Sequence, residues 1–324
     1  MKVFVSGATG FIGRVLIARL IGKGDEVIAL VRKKEHNLPE KVKVVYGDIL
    51  SPHSWKDSGY GCQRVYHLAS MISFDPGKRE QLLLINGTGT FNLLSACVQW
   101  NIEAAVVVSS ASTMGLSYNK DNLLDEESFA NQEIVNSNPY LESKFIEEKI
   151  AASFFANYRV VMMNPTTVYG PGDWTLNSGT LIKTVLTSRI LPVPPGGSNV
   201  VDVEDVVEGI ILAGEYGHSG LRYIIGNENL TFKEIFTVIS DVVKNKPFLL
   251  SFPSFMRPFL SWVGGAMGSF TGSRLITSQI VNDMFCFKYY STKRAENHLG
   301  FKPRYSFRES VERAWSFYRE HGLI

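Results

Sequence analysis

Tyr140 and Lys144 stand four residues apart in "SNPYLESKFIEEK" (residues 137–149), directly after an Asn–Pro pair. Asn138 is a good N-cap, and Pro139 suits the first helical position, where its missing N–H is no loss. A helix that starts there makes Tyr140 and Lys144 neighbours one turn apart. A phenol with a pKa near ~10 is a poor acid–base group at neutral pH, and a nearby ammonium favours phenolate and lowers that pKa. The spacing therefore fits a proton donor beside its tuning cation. It fits an ordinary amphipathic surface helix equally well, so its meaning depends on the rest of the chain.

A second set of residues points to a dinucleotide. In "VSGATGFIGRVLIARLIGKG" Gly7, Gly10 and Gly13 follow a short apolar run and lead into a helical pattern. Gly7 and Gly10 allow a tight turn and close approach to a pyrophosphate seated on the helix N-terminus, and Gly13 allows close helix–strand packing. Thr9, Phe11 and Ile12 complete the loop. The second apolar run, "EVIALVRKKEHN", ends in Arg32, Lys33 and Lys34 rather than in a carboxylate. Cations there suit a 2′-phosphate, so NADP(H) is the preferred cofactor, with NAD(H) as the alternative. In "YGDIL" Asp48 is placed to accept from the adenine amino group, with Ile49 beside it, or to close an Asx-turn at Ser51–Pro52.

The elements that must hold these residues are legible in outline. Apolar runs at 2–6, 26–32, 42–46, 64–68, 104–109 and 159–164 predict strands, and helical patterns fall near 12–23, 79–100 and 139–156. Near-continuous apolar strands alternating with helical crossovers predict a doubly wound α/β fold, a parallel Rossmann sheet covered on both faces. Beyond residue 170 prolines interrupt the chain, "VVDVEDVVEGIILAGEY" reads as a strand and a helix, and "LRYIIG" as one more strand. The expected division is a dinucleotide-binding domain at 1–169 and 199–226, with a smaller, mostly helical substrate lobe at 170–198 and 227–324.

Composition narrows the function. The 324 residues are 45% hydrophobic and 20% charged, with a net charge of +2, which offers no surface for nucleic acid. Cys62, Cys97 and Cys286 are far apart and lack ligand spacing, and the six histidines form no metal pattern, so reduced thiols and no metal are expected. "MKVFVSGATG" enters a strand at once, so no signal peptide is expected and the chain reads as cytoplasmic. The apolar stretch 248–270 contains Arg257 and two prolines, so it reads as a pocket wall or lid rather than a spanning helix. Phe252, Phe255, Met256, Phe259, Trp262, Met267 and Phe270 are its candidate lining residues, with Arg257 and Arg274 available for an anionic substrate.

Several segments together resemble the extended short-chain dehydrogenases/reductases, also called the NAD-dependent epimerase/dehydratase family: "GATGFIG", "YHLAS", "LINGTGTFNLLSAC", "VVSSAST", "YLESK", "NPTTVYGPGD" and "VDVEDVV". The resemblance implies that Leu68, Ala69 and Ser70 lie beside the nicotinamide ribose, and that the backbone from Pro165 to Val168 faces the carboxamide. It makes Tyr140 the proton donor, Lys144 its cation and ribose ligand, and Ser110 the hydroxyl that steadies the substrate oxygen, with Ser109 and Ser112 as near neighbours. Arg32 and Asn164–Pro165 are similar to the branch holding dihydroflavonol reductases, cinnamoyl-CoA reductases and 3β-hydroxysteroid dehydrogenases. The implied activity is NADP(H)-dependent reduction of a ketone or aldehyde on a small, apolar or aromatic substrate. The alternatives are a nucleotide-sugar epimerase or dehydratase with tightly bound NAD, and a non-catalytic dinucleotide sensor. The family also implies a homodimer through the helices near 80–100 and 140–156.

Overall fold

The computed structural model describes residues 1–34, 37–259 and 282–324. His36 and the lining candidates Trp262, Met267, Phe270 and Arg274 lie outside the described residues. In chain order the first half runs β1 (Lys2–Ser6), α1 (Phe11–Gly22), β2 (Glu26–Val31), β3 (Lys43–Tyr46), β4 (Arg64–His67), α2 (Arg79–Leu83), α3 (Gly89–Trp100), β5 (Ala104–Val108), α4 (Gln132–Ser137), α5 (Pro139–Ala152) and β6 (Arg159–Pro165). The remainder is β7 (Thr167–Tyr169), α6 (Gly179–Thr187), β8 (Ile190–Val193), β9 (Gly197–Asp202), α7 (Val203–Tyr216), β10 (Arg222–Ile225), β11 (Glu228–Thr231), α8 (Phe232–Val243), β12 (Phe248–Ser251), β13 (Phe287–Lys288), α9 (Lys293–Leu299) and α10 (Phe307–Glu320).

Seven strands form one parallel sheet in the order β3-β2-β1-β4-β5-β6-β10. Strand side chains alternate between faces, and the core divides accordingly. Val3, Val5, Val106 and Val161 pack under Leu16 and Ile17 of α1 and Val206 and Ile210 of α7. Their neighbours Phe4, Ala105, Val107 and Val160 pack against Leu93, Leu94 and Cys97 of α3 and Ala151 of α5. Covering both faces is what lets these strands be apolar throughout, as the sequence pattern requires. The strand order reverses between β1 and β4, and in such sheets ligands bind at the carboxyl ends beside that reversal.

The second sheet is small: β9 pairs with β7 and β13 in parallel and with β11 antiparallel. β9 thus leaves the large sheet, while α7 and β10, next along the chain, return to it. A third core joins Ile182 and Val185 of α6, Ile235 and Ile239 of α8, and Val311 and Tyr318 of α10. Both α8 and α10 begin with capping boxes, Thr231 with Glu234 and Ser306 with Glu309, which satisfy two N-terminal donors each. The loop 115–131 is tied down: Ser117 bridges Phe287, Leu124 bridges Tyr290, and the Glu126 carboxylate accepts from the Ile224 N–H at 2.9 Å. Among the described residues no helix is long and apolar enough to cross a membrane. The three cysteines are free and buried.

Candidate active site

The first cleft opens at the sheet reversal. It has a volume of about 730 Å³, and Gly7, Thr9, Gly10, Arg32, Lys33, Asp48, Ile49, Leu68, Ala69 and Ser70 line it. Gly7 has φ +72°, and a Cβ there would lie 2.4 Å from the Leu68 carbonyl carbon, so only glycine lets the ends of β1 and β4 come this close. A Cβ on Gly13 would lie 2.2 Å from the Gly7 carbonyl oxygen, which explains the third glycine as packing of α1 onto its own loop. Gly10 is the N-cap of α1, with no side-chain cap and no acid in the first turn. The helix therefore presents bare N–H groups and its positive dipole end to the cleft, which fits a pyrophosphate.

Arg32 and Lys33 are exposed at the far side of this cleft. Arg14 joins them, its guanidinium held by the carbonyls of Thr9 at 3.0 Å and Asn37 at 3.2 Å. Its position one residue past the last glycine was the signal for it in the sequence. Asp48 lines the cleft, and its carboxylate closes an Asx-turn on the Leu50 N–H at 2.8 Å, ahead of the Ser51–Pro52 turn. Phe11, Ile12, Gly13, Lys144 and Val168 are not among the lining residues of either cleft. Ile12 and Val168 pack against the core beneath α1 and α7.

The second cleft, about 540 Å³, lies between the carboxyl edge of the large sheet and the small sheet. Ser110, Ser112, Tyr140 and Pro165 line it, together with Phe74, Phe232, Met284, Lys288 and Tyr290. Ser110, two residues past β5 and in extended conformation, caps a short 3₁₀ turn, and its hydroxyl lies 2.8 Å from that of Ser112. Ser109 points elsewhere: its hydroxyl donates to Glu148 at 2.6 Å, deep in the interior. Of the three serines, Ser110 and Ser112 face the cleft. Within 248–259 no residue lines this cleft, and Phe255 is 82% exposed. Among the described residues the aromatic wall comes from Phe74, Phe232 and Tyr290, on three separate segments that no single sequence window links.

Tyr140 is set by its helix. Asn138 caps α5 by accepting from the Leu141 N–H at 3.1 Å, with Pro139 in the first turn. Phe74 packs edge-on against the Tyr140 ring, centroids 5.7 Å apart. A second brace comes from Asn86, in the single π-turn Leu84–Thr88 between α2 and α3. Its amide donates to the Ser143 hydroxyl at 2.9 Å and to the Met71 carbonyl at 3.0 Å, and it accepts from the Met71 N–H at 2.7 Å. Asn86 thus clamps the strand end at 68–71 to the first turns of α5, a use typical of π-bulges at functional sites.

Lys144 lies behind Tyr140, buried, donating to the Val108 carbonyl at 3.0 Å and to Glu147 at 2.6 Å. Burial disfavours both charges of this pair: it pushes the Glu147 carboxyl up to about 7 despite the adjacent ammonium, while Glu147 and Tyr140 together outweigh the burial of Lys144 and hold its ammonium above its ordinary pKa. His67 sits between the hydroxyls of Ser6 and Thr90, each 2.7 Å away, and burial with the nearby Lys144 charge pushes it down to about 3. It is a neutral tether between β1, β4 and α3. Beneath, one Glu148 oxygen accepts from Ser109, Thr113 at 3.0 Å and Asn164 at 2.7 Å, and Arg222 lies 3.7 Å from the other. This explains Asn164 before Pro165: it ties β6 to α5 under the cleft.

The arrangement can bind a dinucleotide across the sheet reversal and offer a phenol and a hydroxyl to a neighbouring apolar cleft. Comparison with known proteins agrees. The model of the NAD dependent epimerase/dehydratase family matches residues 3–226. A presumptive dihydroflavonol 4-reductase of Synechocystis sp. is 28% identical, covering 99% of this chain and 95% of that protein. Cinnamoyl-CoA reductase 1 of Petunia hybrida is 27% identical over 76% of this chain and 78% of its own. The solved structure of gox2253 superposes with a TM-score of 0.87 at 26% identity, covering 100% of this chain and 99% of that one. The dTDP-glucose 4,6-dehydratase of Streptomyces venezuelae, solved with NAD bound, shares the fold with a TM-score of 0.78 at 21% identity, covering 100% and 98%. From its phosphate loop to the strand that ends at Ile225, this chain belongs to the NAD-dependent epimerase/dehydratase family, the extended short-chain dehydrogenases/reductases, and is an NAD(P)-dependent enzyme of that kind.

Proposed function

We propose that this enzyme is an NADP(H)-dependent reductase of a ketone or aldehyde carried on a small, apolar or aromatic substrate, with the smaller part of the chain at 170–198 and 227–324 forming the substrate lobe. The observation that carries this reading is the pairing of two clefts: one with Arg14, Arg32 and Lys33 at its margin, and a neighbouring one that joins Ser110 and Tyr140 to Phe74, Phe232 and Tyr290. Thr9, Gly10 and the first turn of α1 hold the pyrophosphate, Arg32 and Lys33 the 2′-phosphate, and Leu68, Ala69, Ser70 and Lys144 the nicotinamide ribose. Bound there, the nicotinamide supplies or accepts the hydride. Ser110 donates a hydrogen bond to the substrate oxygen and steadies its developing charge. Tyr140 delivers the proton to that oxygen, and Lys144 favours the phenolate that remains.

A panel of ketones and aldehydes with NADPH tests this: apolar or aromatic carbonyls are reduced, and Tyr140→Phe lowers turnover by about 10²–10⁴-fold while retaining nucleotide binding. Turnover of a nucleotide sugar without net oxidation of added NADPH would instead favour an epimerase or dehydratase, a reading that Lys288 in the second cleft supports as a cation for a diphosphate. A homodimer through α3 and α5 is part of the proposal. Leu84, Phe91 and Val98 recur every seven residues along that surface and are 48%, 52% and 43% exposed.

A further inference from the structure

On α5, Tyr140, Lys144 and Glu147 occupy positions i, i+4 and i+7, a single face of the helix. Burial deepens along that stripe: Tyr140 lines the substrate cleft, the Lys144 side chain is 3% exposed and that of Glu147 1%. Two of the three ammonium N–H groups are committed, to Glu147 Oε2 at 2.6 Å and to the Val108 carbonyl at 3.0 Å. A pair this far from solvent is little screened by salt, and a carboxylate in contact with the cation opposes the cation's pull on the phenol. The roles assigned above leave Glu147 unused.

We propose that Glu147 is a positioning residue: it anchors the Lys144 ammonium against β5 and tempers its effect on Tyr140. This deepens the proposed function and rests on its assignment of Tyr140 and Lys144. The other charged or titratable groups around the stripe are accounted for. Glu148, next on α5, is held by Ser109, Thr113 and Asn164, with Arg222 of β10 3.7 Å away. His67 of β4 is neutral between two hydroxyls. Arg79 pairs with Glu142 at the exposed start of the helix, and Asp283 and Lys288 line the cleft before Tyr140.

The test is an NMR titration of the full chain with tyrosine ¹³C-labelled at Cζ, without nucleotide, the Tyr140 signal identified by its loss in Tyr140→Phe. Glu147→Gln is expected to lower the Tyr140 pKa by about one unit, and Lys144→Met to raise it. Glu147→Asp, which keeps the charge, stays near the wild-type value. An unchanged titration in Glu147→Gln, with the rise in Lys144→Met intact, overturns the role of Glu147 and leaves the Tyr–Lys assignment standing. If neither variant moves Tyr140, the assignment fails and takes this proposal with it. Should Glu147→Gln not fold, the ¹³C-labelled Glu147 carboxyl of the wild-type chain, identified by its loss in Glu147→Asp, decides. A carboxylate that is ionised when the pH stands about one unit above neutral supports the proposal, and one still protonated there overturns it.

Discussion

At the scale of single residues, Tyr140, Arg32 and His67 act in different ways. Tyr140 touches the substrate cleft, so its hydroxyl is a chemical claim: Tyr140→Phe is expected to lower kcat/KM by about 10²–10⁴-fold, the usual worth of a general acid. Arg32 touches the other cleft, so its claim is one of affinity. Removing a charged hydrogen bond costs about 1.5–3 kcal/mol, and Arg32→Ser should weaken NADPH by about tenfold or more with little change for NADH, read by titration of each nucleotide. His67 makes a claim about pH. Its folded value of about 3 lies below the ordinary value of 6.5, so between these limits the unfolded chain binds the extra proton and stability rises with pH. Acidification from pH 6.5 towards 3 should remove on the order of a few kcal/mol, and a His67→Gln variant should lose that part of the acid sensitivity in denaturant titrations. Spacing made Gly7, Tyr140 and Lys144 legible in the sequence. Glu147 was not, because a Lys and a Glu at i, i+3 read as a solvated pair unless depth is known.

At the scale of elements, what positions the chemistry is the start of a helix and the meeting of two strands. Asn138→Ala removes the cap of α5 and should destabilise the chain by about 1 kcal/mol, seen as a lower denaturant midpoint. Gly7→Ala meets both a left-handed φ and the backbone of Leu68, so it should cost about 1–3 kcal/mol by overpacking and abolish nucleotide binding as well. The buried strands were visible as apolar runs of four or more residues, and the long helices by their period. The 3₁₀ turn after Ser110 and the two-residue β13 were not, because they are too short to carry a pattern, and the π-turn around Asn86 was hidden inside the helical pattern at 79–100. Placing β9 in the small sheet was beyond the pattern too: its apolar run is the same whichever sheet receives it.

At the scale of the whole molecule, the cofactor cleft followed from topology, because strand order alone fixes where the sheet reverses. The substrate cleft did not, since Phe74, Phe232 and Tyr290 come from loops and termini that only the assembled fold brings together. The charge distribution carries the central claim: cations at the dinucleotide cleft, an apolar wall at the neighbouring one, and a phenol between. A reductase must exchange its cofactor in every cycle, whereas an epimerase or dehydratase regenerates its own and has no need to release it. The most direct measurement is therefore to denature the freshly purified protein and identify any released nucleotide and its stoichiometry by mass spectrometry, alongside titrations with NADPH and NADH. Little bound nucleotide, with NADPH the tighter ligand, is the predicted result. Near-stoichiometric NAD would contradict the account, overturning both the reading of Arg32 and the reductase itself.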